Sequence, residues 1–399
     1  MSSKEKEVSD LIFIILNLII EQDIGPTYAA RLLYLYTSML RLGVKIIKPH
    51  TNLGGNYQFK ENIINANCDF CDFSKYSKYY KYYKSFRNNY IGYIGIQSLK
   101  LIHRMYPKSE ILKNFKNNNK ISVVYNKTNK KFRQFLENRR LLQKINSELK
   151  SFYLNLDNDG WKESNKQLKL TNDYYINPDK VIDVEKLKNP LDWCLLENQK
   201  MLGSKWGNVK SLLSNKETRK LESYLDRKYK EIDVVKENKD VLKRSLQLTD
   251  ENKISAELFQ AIPGSVSPAG FWTMFLYRYF QANDRPNSIQ LDFYYKLTCA
   301  LFQASVTCWK IKYKYLQLRP IQCIRLNYSG DKFDYYFGDG VYGNMWKPFQ
   351  EKRMMSPPFP DYISGHSTFS SAGAYILNKL IGSKIEDNIK ISTDELKML

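Results

Sequence analysis

Histidine is the scarcest chemical resource of this 399-residue chain, which has three, and cysteine is thinly spread, with six. The cysteines are Cys68, Cys71, Cys194, Cys299, Cys308 and Cys323. Only Cys68 and Cys71 have metal-like spacing, and tetrahedral zinc needs two more ligands that no nearby pair supplies. A reduced, structural pair is therefore expected, and the chain reads as one from a reducing compartment such as the cytoplasm. No apolar run approaches the roughly 18 residues that a membrane span requires. The nearest, "LIFIILNLII" at residues 11–20, is broken by Asn17. Its leader mixes Lys4 and Lys6 with Glu5, Glu7 and Asp10, and no small-residue cleavage site follows. That pattern argues against a signal peptide and predicts a buried first helix.

Basic residues, by contrast, are in excess. Lys and Arg outnumber Asp and Glu by 62 to 41, a formal charge of +21 that favours anionic partners: nucleic acid, an anionic lipid surface or a small oxyanion. A mean hydropathy of −0.51 with 43% hydrophobic residues describes a globular protein with a core.

The dominant period is helical. From Gly25, Pro26 stands near a helix start, and Ala29, Leu32, Leu33, Tyr36 and Met39 follow on one face. A second long helix is expected from Lys75 to Tyr106, before Pro107. Within it Tyr79, Tyr83, Phe86 and Tyr90 form a stripe, whereas Lys75, Lys78, Lys81 and Lys84 step by three and wind around the surface. This is a packed aromatic face under solvated lysines rather than a nucleic-acid stacking surface. Residues 107–131 read as a basic connector, 187–213 as a loop pinned by two tryptophans, and Asp250 as a helix cap. Few segments alternate, so the expected class is all-α.

Two stretches carry chemistry. In "KYKYLQLRP", residues 312–320, Lys312 and Arg319 are seven apart. On a single α-helix that is nearly two turns, placing both cations on one face about 10 Å apart, able to converge on one anion. Pro320 disfavours continuing that helix. In "PPFPDYISGHSTFSSAG", residues 357–373, Pro357, Pro358 and Pro360 keep the entry extended, Ser364 and Gly365 turn, and a helix is expected from Ser367 to Leu380, ended by Gly382. Amides at a helix start attract oxyanions, Gly365 permits close approach, and His366 would stand beside the anion as proton donor or acceptor. The small residues Ser370 to Ala374 let another helix lie close.

Together these stretches resemble the vanadium-dependent haloperoxidase and type 2 phosphatidic acid phosphatase superfamily. Its first motif, Lys, six residues, Arg-Pro, is matched by Lys312, Arg319 and Pro320; its second, Pro-Ser-Gly-His, by Ser364, Gly365 and His366, with Ile363 in place of proline. The likeness is to the haloperoxidase branch, whose blocks "GPTYAAR", "LGSKWGNV", "LTDENKISAELF" and "CWKIKYKYLQLRPIQCIR" are similar to this chain's in order.

The resemblance implies an all-α protein of two packed helical bundles, residues 1–170 and 171–399, with an oxyanion pocket in the second. It implies vanadate as cofactor, its equatorial oxygens held by Lys312 and Arg319, with Ser364 and the Gly365 N–H donating to it and His366 as acid/base. Hydrogen peroxide and halide would be the substrates, Lys312 activating the peroxide as a catalytic residue; in the phosphatase branch phosphate fills the same cradle. A third motif, Ser-Arg followed by an axial histidine, has no counterpart, since nothing after His366 is Arg or His. The expectation is a second bundle incomplete at its C-terminus and inactive alone: either a fragment from an interrupted reading frame or one half of a split enzyme completed by a separate polypeptide. Phe271 also stands where the family often has histidine. Two alternatives stay open: a phosphatase-like hydrolase of the same fold, and a non-catalytic basic helical protein that binds nucleic acid or another anionic surface.

Overall fold

The computed structural model describes residues 7–47, 89–117, 137–262, 264–335, 338–350 and 354–382. His50, the Cys68 and Cys71 pair and the lysine-tyrosine segment up to 88 lie outside them. The protein is all-α: among the described residues there are twelve α-helices and one two-stranded antiparallel sheet, β1 (Lys332–Tyr335) with β2 (Gly338–Tyr342). No helix there is long and apolar enough to cross a membrane.

The chain divides into two compact units that interleave along the sequence. The first comprises Met1–Asp159, Pro263–Ser305 and Phe369–Leu399; the second, Gly160–Ile262 and Val306–Thr368. The leading segment thus ends at Asp159 rather than 170, and the first unit takes back two later segments.

In the first unit, α1 (Glu7–Glu21), α3 (Asn89–Ile102), α4 (Glu110–Asn117) and α5 (Arg139–Asp157) accompany a central α2 (Pro26–Ile47). The expected apolar stripe of α2 is present, but the helix is buried nearly all round, as befits a helix surrounded by others. The run at residues 11–20 is the buried face of α1. Gly43 and Gly95 bring helices together, since a Cβ on either would strike Ile94 or Leu11.

Helix α2 also pairs with α10 (Asn287–Tyr315) in antiparallel register, readable from side chains. Tyr34 stacks on Phe302 at 4.8 Å, the Thr37 and Thr298 hydroxyls share a hydrogen bond of 2.7 Å, and Arg41 covers the Tyr295 ring at 4.1 Å. Buried Arg31 reaches Asp159 at 2.9 Å, tying α2 to the end of α5. Two helices complete this unit, α9 (Ser267–Ala282) and the greater part of α12 (Gly365–Ile381). The expected close approach at the small residues is found here: the Trp272 ring of α9 lies where a Gly373 Cβ would be, and its Nε1 donates to Ser370 Oγ at 3.3 Å. Phe271 packs edge-on against Trp272, with Phe275 near both.

The second unit contains α6 (Asn215–Lys230), α7 (Val234–Leu246), α8 (Asp250–Phe259), the last residues of α10, α11 (Pro320–Asn327) and the β-hairpin. Ser214 and Glu217 form a capping box at α6. The cap of α8 is Thr249, with Asp250 the first helical residue, one position from the expected cap. Residues 193–196 run extended, so successive side chains face opposite ways. Trp193 and Leu195 join Met201 in one cluster, while Cys194 and Leu196 join Ile321, Ile324 and Trp346 in another. Fully buried Arg325 donates to the carbonyls of Asn177, Pro178, Lys180 and Trp346 at 2.8 to 3.3 Å, fixing the loop before this segment to α11.

Candidate oxyanion site

Lys312 and Arg319 do not share a helix, as their spacing predicts. Helix α10 ends at Tyr315, Leu316 takes a left-handed φ of 49°, and Arg319 is the extended N-cap of α11. Pro320 acts as a start signal, filling the first turn of α11, where its missing N–H is not needed. The break exists because residues 316–318 belong to the unit's core: Gln317 bridges to Asp192, Leu318 is buried, and Leu316 accepts from the Trp193 N–H.

What brings the two cations together is residues 357–361. Lys312 Nζ donates to the carbonyls of Pro360 (2.9 Å) and Asp361 (2.6 Å), and Arg319 Nε donates to the Phe359 carbonyl (2.6 Å). Three successive carbonyls are thus held by two cations. The Phe359 ring faces both, 5.0 Å from Lys312 Nζ and 4.8 Å from the Arg319 guanidinium, and Trp309 lies 5.0 Å from that ring. Arg319 Nη1 sits 3.6 Å from the Asp361 carboxylate, too far for a hydrogen bond. Neither that nitrogen nor Nη2 donates to another group among the described residues.

A loop supports this from beneath α10. The Leu202 carbonyl accepts from Trp309 Nε1 (3.2 Å) and the Tyr313 hydroxyl (2.8 Å), while its N–H donates to Pro358 O (3.0 Å). Gly203, at φ 69°, lies so close to Trp309 that a Cβ would overlap the indole. The two-tryptophan loop expected from sequence is therefore pressed against the helix that carries Lys312.

Helix α12 begins at Gly365, two residues before the expected start, because Ser364 caps it: Ser364 Oγ accepts from the Ser367 N–H at 3.2 Å. The hydroxyl proton of Ser364 stays available. Gly365 sits over Trp309 and Lys312; an added Cβ would meet Trp309 at 3.5 Å and Lys312 Cε at 4.0 Å. Lys312, Arg319, Gly365 and Ser364 thus lie in one neighbourhood. His366, on the same first turn, is exposed and turned to α8: its Nε2 donates to the Gln260 carbonyl at 3.0 Å. A carbonyl only accepts, so in the neutral ring Nε2 carries the proton.

The electrostatics follow from crowding by like charges and burial. Burial lowers the Lys312 amine to about 8, with Arg319 adding to the fall and Cys308 and Asp361 opposing it. Arg319 is shifted down by burial, against the attraction of Asp361. Buried Cys308, one turn before Lys312, has its thiol pushed up by desolvation. The His366 imidazole is crowded although part of its surface is open. Desolvation holds it below the usual histidine value, the Gln260 carbonyl opposes that, and Arg319 and Lys312 depress it further. Sequence reasoning missed Asp361, Phe359 and the Gln260 carbonyl. Asp361 lay within the quoted stretch, but backbone acceptors leave no signal in side-chain identity.

Residues 292–398 match the family model of the VCPO second helical-bundle domain. Among solved structures, the first bacterial vanadium-dependent iodoperoxidase is similar at 15% identity and a TM-score of 0.61, covering 96% of this chain and 83% of that one. A holo-type bacterial vanadium-dependent chloroperoxidase is similar at 16% identity and 0.58, covering 90% and 77%. An apo-type bacterial chloroperoxidase gives 12% and 0.55, covering 90% and 79%. No curated protein matches the sequence. The chain has the fold of the vanadium haloperoxidases and, through residues 292–398, a relationship to that family.

Proposed function

We propose that this chain binds a tetrahedral oxyanion, vanadate or phosphate, at Lys312, Arg319 and the start of α12, as a haloperoxidase-type protein. The observation that carries the reading is the placement of Gly365 over Lys312, with Arg319 nitrogens left without a hydrogen-bond acceptor beside it. Two cations, the Ser364 hydroxyl and helix-start amides suit the oxygens of an anion.

The donor set fits the oxyanion but not a coordinate bond to its central atom. His366 is the one histidine in the second unit's segments, and no group of three His, Cys, Asp or Glu among the described residues is arranged to hold a metal. Vanadate, when bound in such a pocket, supplies Lewis-acid activation of hydrogen peroxide toward halide. The residues of this chain have separate tasks. Protonated Lys312 and Arg319 neutralise the anion, Ser364 and the Gly365 N–H orient it, and His366, its Nε2 held by the Gln260 carbonyl, is the acid/base residue beside it.

Halide oxidation therefore needs a histidine that these 399 residues do not place in the second unit. Given vanadate, peroxide and bromide, the chain alone gives no hypobromite-dependent halogenation of a reporter dye between about pH 5 and 8, the range in which histidine titrates. Adding a polypeptide with Ser-Arg and a distal histidine, fused or separate, restores turnover. Robust oxidation by the chain alone would overturn the account of the missing ligand; continued inactivity of a folded, vanadate-binding completed protein would overturn the haloperoxidase reading.

A further inference from the structure

Asp361 stands where a cationic oxyanion site has least use for a negative charge. Its backbone is pinned from both sides: the N–H donates to Gln317 O at 3.0 Å and the carbonyl accepts from Lys312 Nζ at 2.6 Å. The carboxylate leaves toward Arg319, with Oδ1 3.6 Å from Nη1 and about a third of the side chain open. At that separation the pair attracts but Nη1 keeps its proton for another acceptor. An anion bound by Arg319 thus has a carboxylate as its neighbour. Oxygens of two anions held side by side repel unless a proton lies between them.

We propose that Asp361 makes this cradle select tetrahedral oxyanions that carry a proton, such as inorganic phosphate near neutral pH, over sulfate, which carries none. Its carboxylate accepts the anion's O–H while Arg319 and Lys312 donate to the bare oxygens. Rejection by an unmatched polar group is the stronger arm of such discrimination; a fully enclosed acceptor gives factors of ten thousand or more, and a partly open one about tenfold. The inference rests on the oxyanion reading above and adds the class of anion to it.

Calorimetric titration of the full chain near neutral pH with inorganic phosphate and, separately, with sulfate tests it. The parent binds phosphate about tenfold more tightly, and Asp361→Asn brings the ratio close to one, chiefly because sulfate gains. Equal binding of both ions by the parent overturns the proposal without any variant, so a folding defect in Asp361→Asn cannot hide the result. A tenfold preference that survives Asp361→Asn also overturns it. Phosphate binding that is lost in Lys312→Ala but shows no preference over sulfate would sink the selectivity alone; no binding of either ion by the parent would sink the oxyanion reading and the selectivity with it.

Discussion

The two units are built by different means. In the first, helices meet through apolar side chains: α2 is buried almost all round, and its contacts to α10 are rings, hydroxyls and one cation over a tyrosine. In the second, long polar side chains reach main-chain carbonyls. Arg325 holds four, Lys312 two, Gln322 two and Arg319 one, while Trp309 and Tyr313 share another. Helix packing makes a scaffold, whereas irregular backbone tied to cations makes a place where charge is already concentrated.

The largest effect that would test this contrast is Arg325→Met. Four carbonyls, one in a buried hydrogen bond and three in partly buried ones, lose their partner, each costing about 1–3 kcal/mol where water does not replace it, so the expected loss is about 3–5 kcal/mol in denaturant unfolding. Met39→Ala, at a fully buried position of α2, should cost about 2–5 kcal/mol through its cavity alone. A loss under about 1 kcal/mol for Arg325→Met would show that the second unit is held by its apolar clusters instead.

A smaller effect concerns Lys312. Free in the folded chain it gives up its proton at about 8, against an ordinary value of 10.5 that the unfolded chain retains. Between those values the unfolded chain holds more protons, so this group's contribution to stability rises with pH. Anion binding has the opposite sign, because it needs the proton. Phosphate affinity should fall several-fold from about pH 7.5 to 9 in the parent and stay nearly level in Lys312→Arg, which remains charged. Identical pH profiles for the two proteins would remove Lys312 from the site.

Much of the first unit was legible in the sequence. Periodicity gave α1 and α2, Pro26 marked the α2 start, and the small residues at 370–374 announced the Trp272 contact. The second unit was legible in its motifs but not in its geometry. Seven-residue spacing suggested one helix for Lys312 and Arg319, yet burial of Leu318 and the bridge at Gln317 end α10 between them. The extended segment at 193–196 escaped notice because it is buried on both sides and does not alternate in polarity. Asp361 was passed over since its importance lies in where two backbone bonds aim it, and no pattern of side chains records that.

Binding of oxyanion by the intact chain tests the central claim most directly. Calorimetry with orthovanadate or phosphate should give weak, salt-sensitive binding to the parent, and no measurable heat of binding with the Lys312→Ala, Arg319→Ala double variant, provided its circular dichroism matches the parent's. Equal binding by parent and double variant would contradict the account, placing the anion elsewhere on this basic protein.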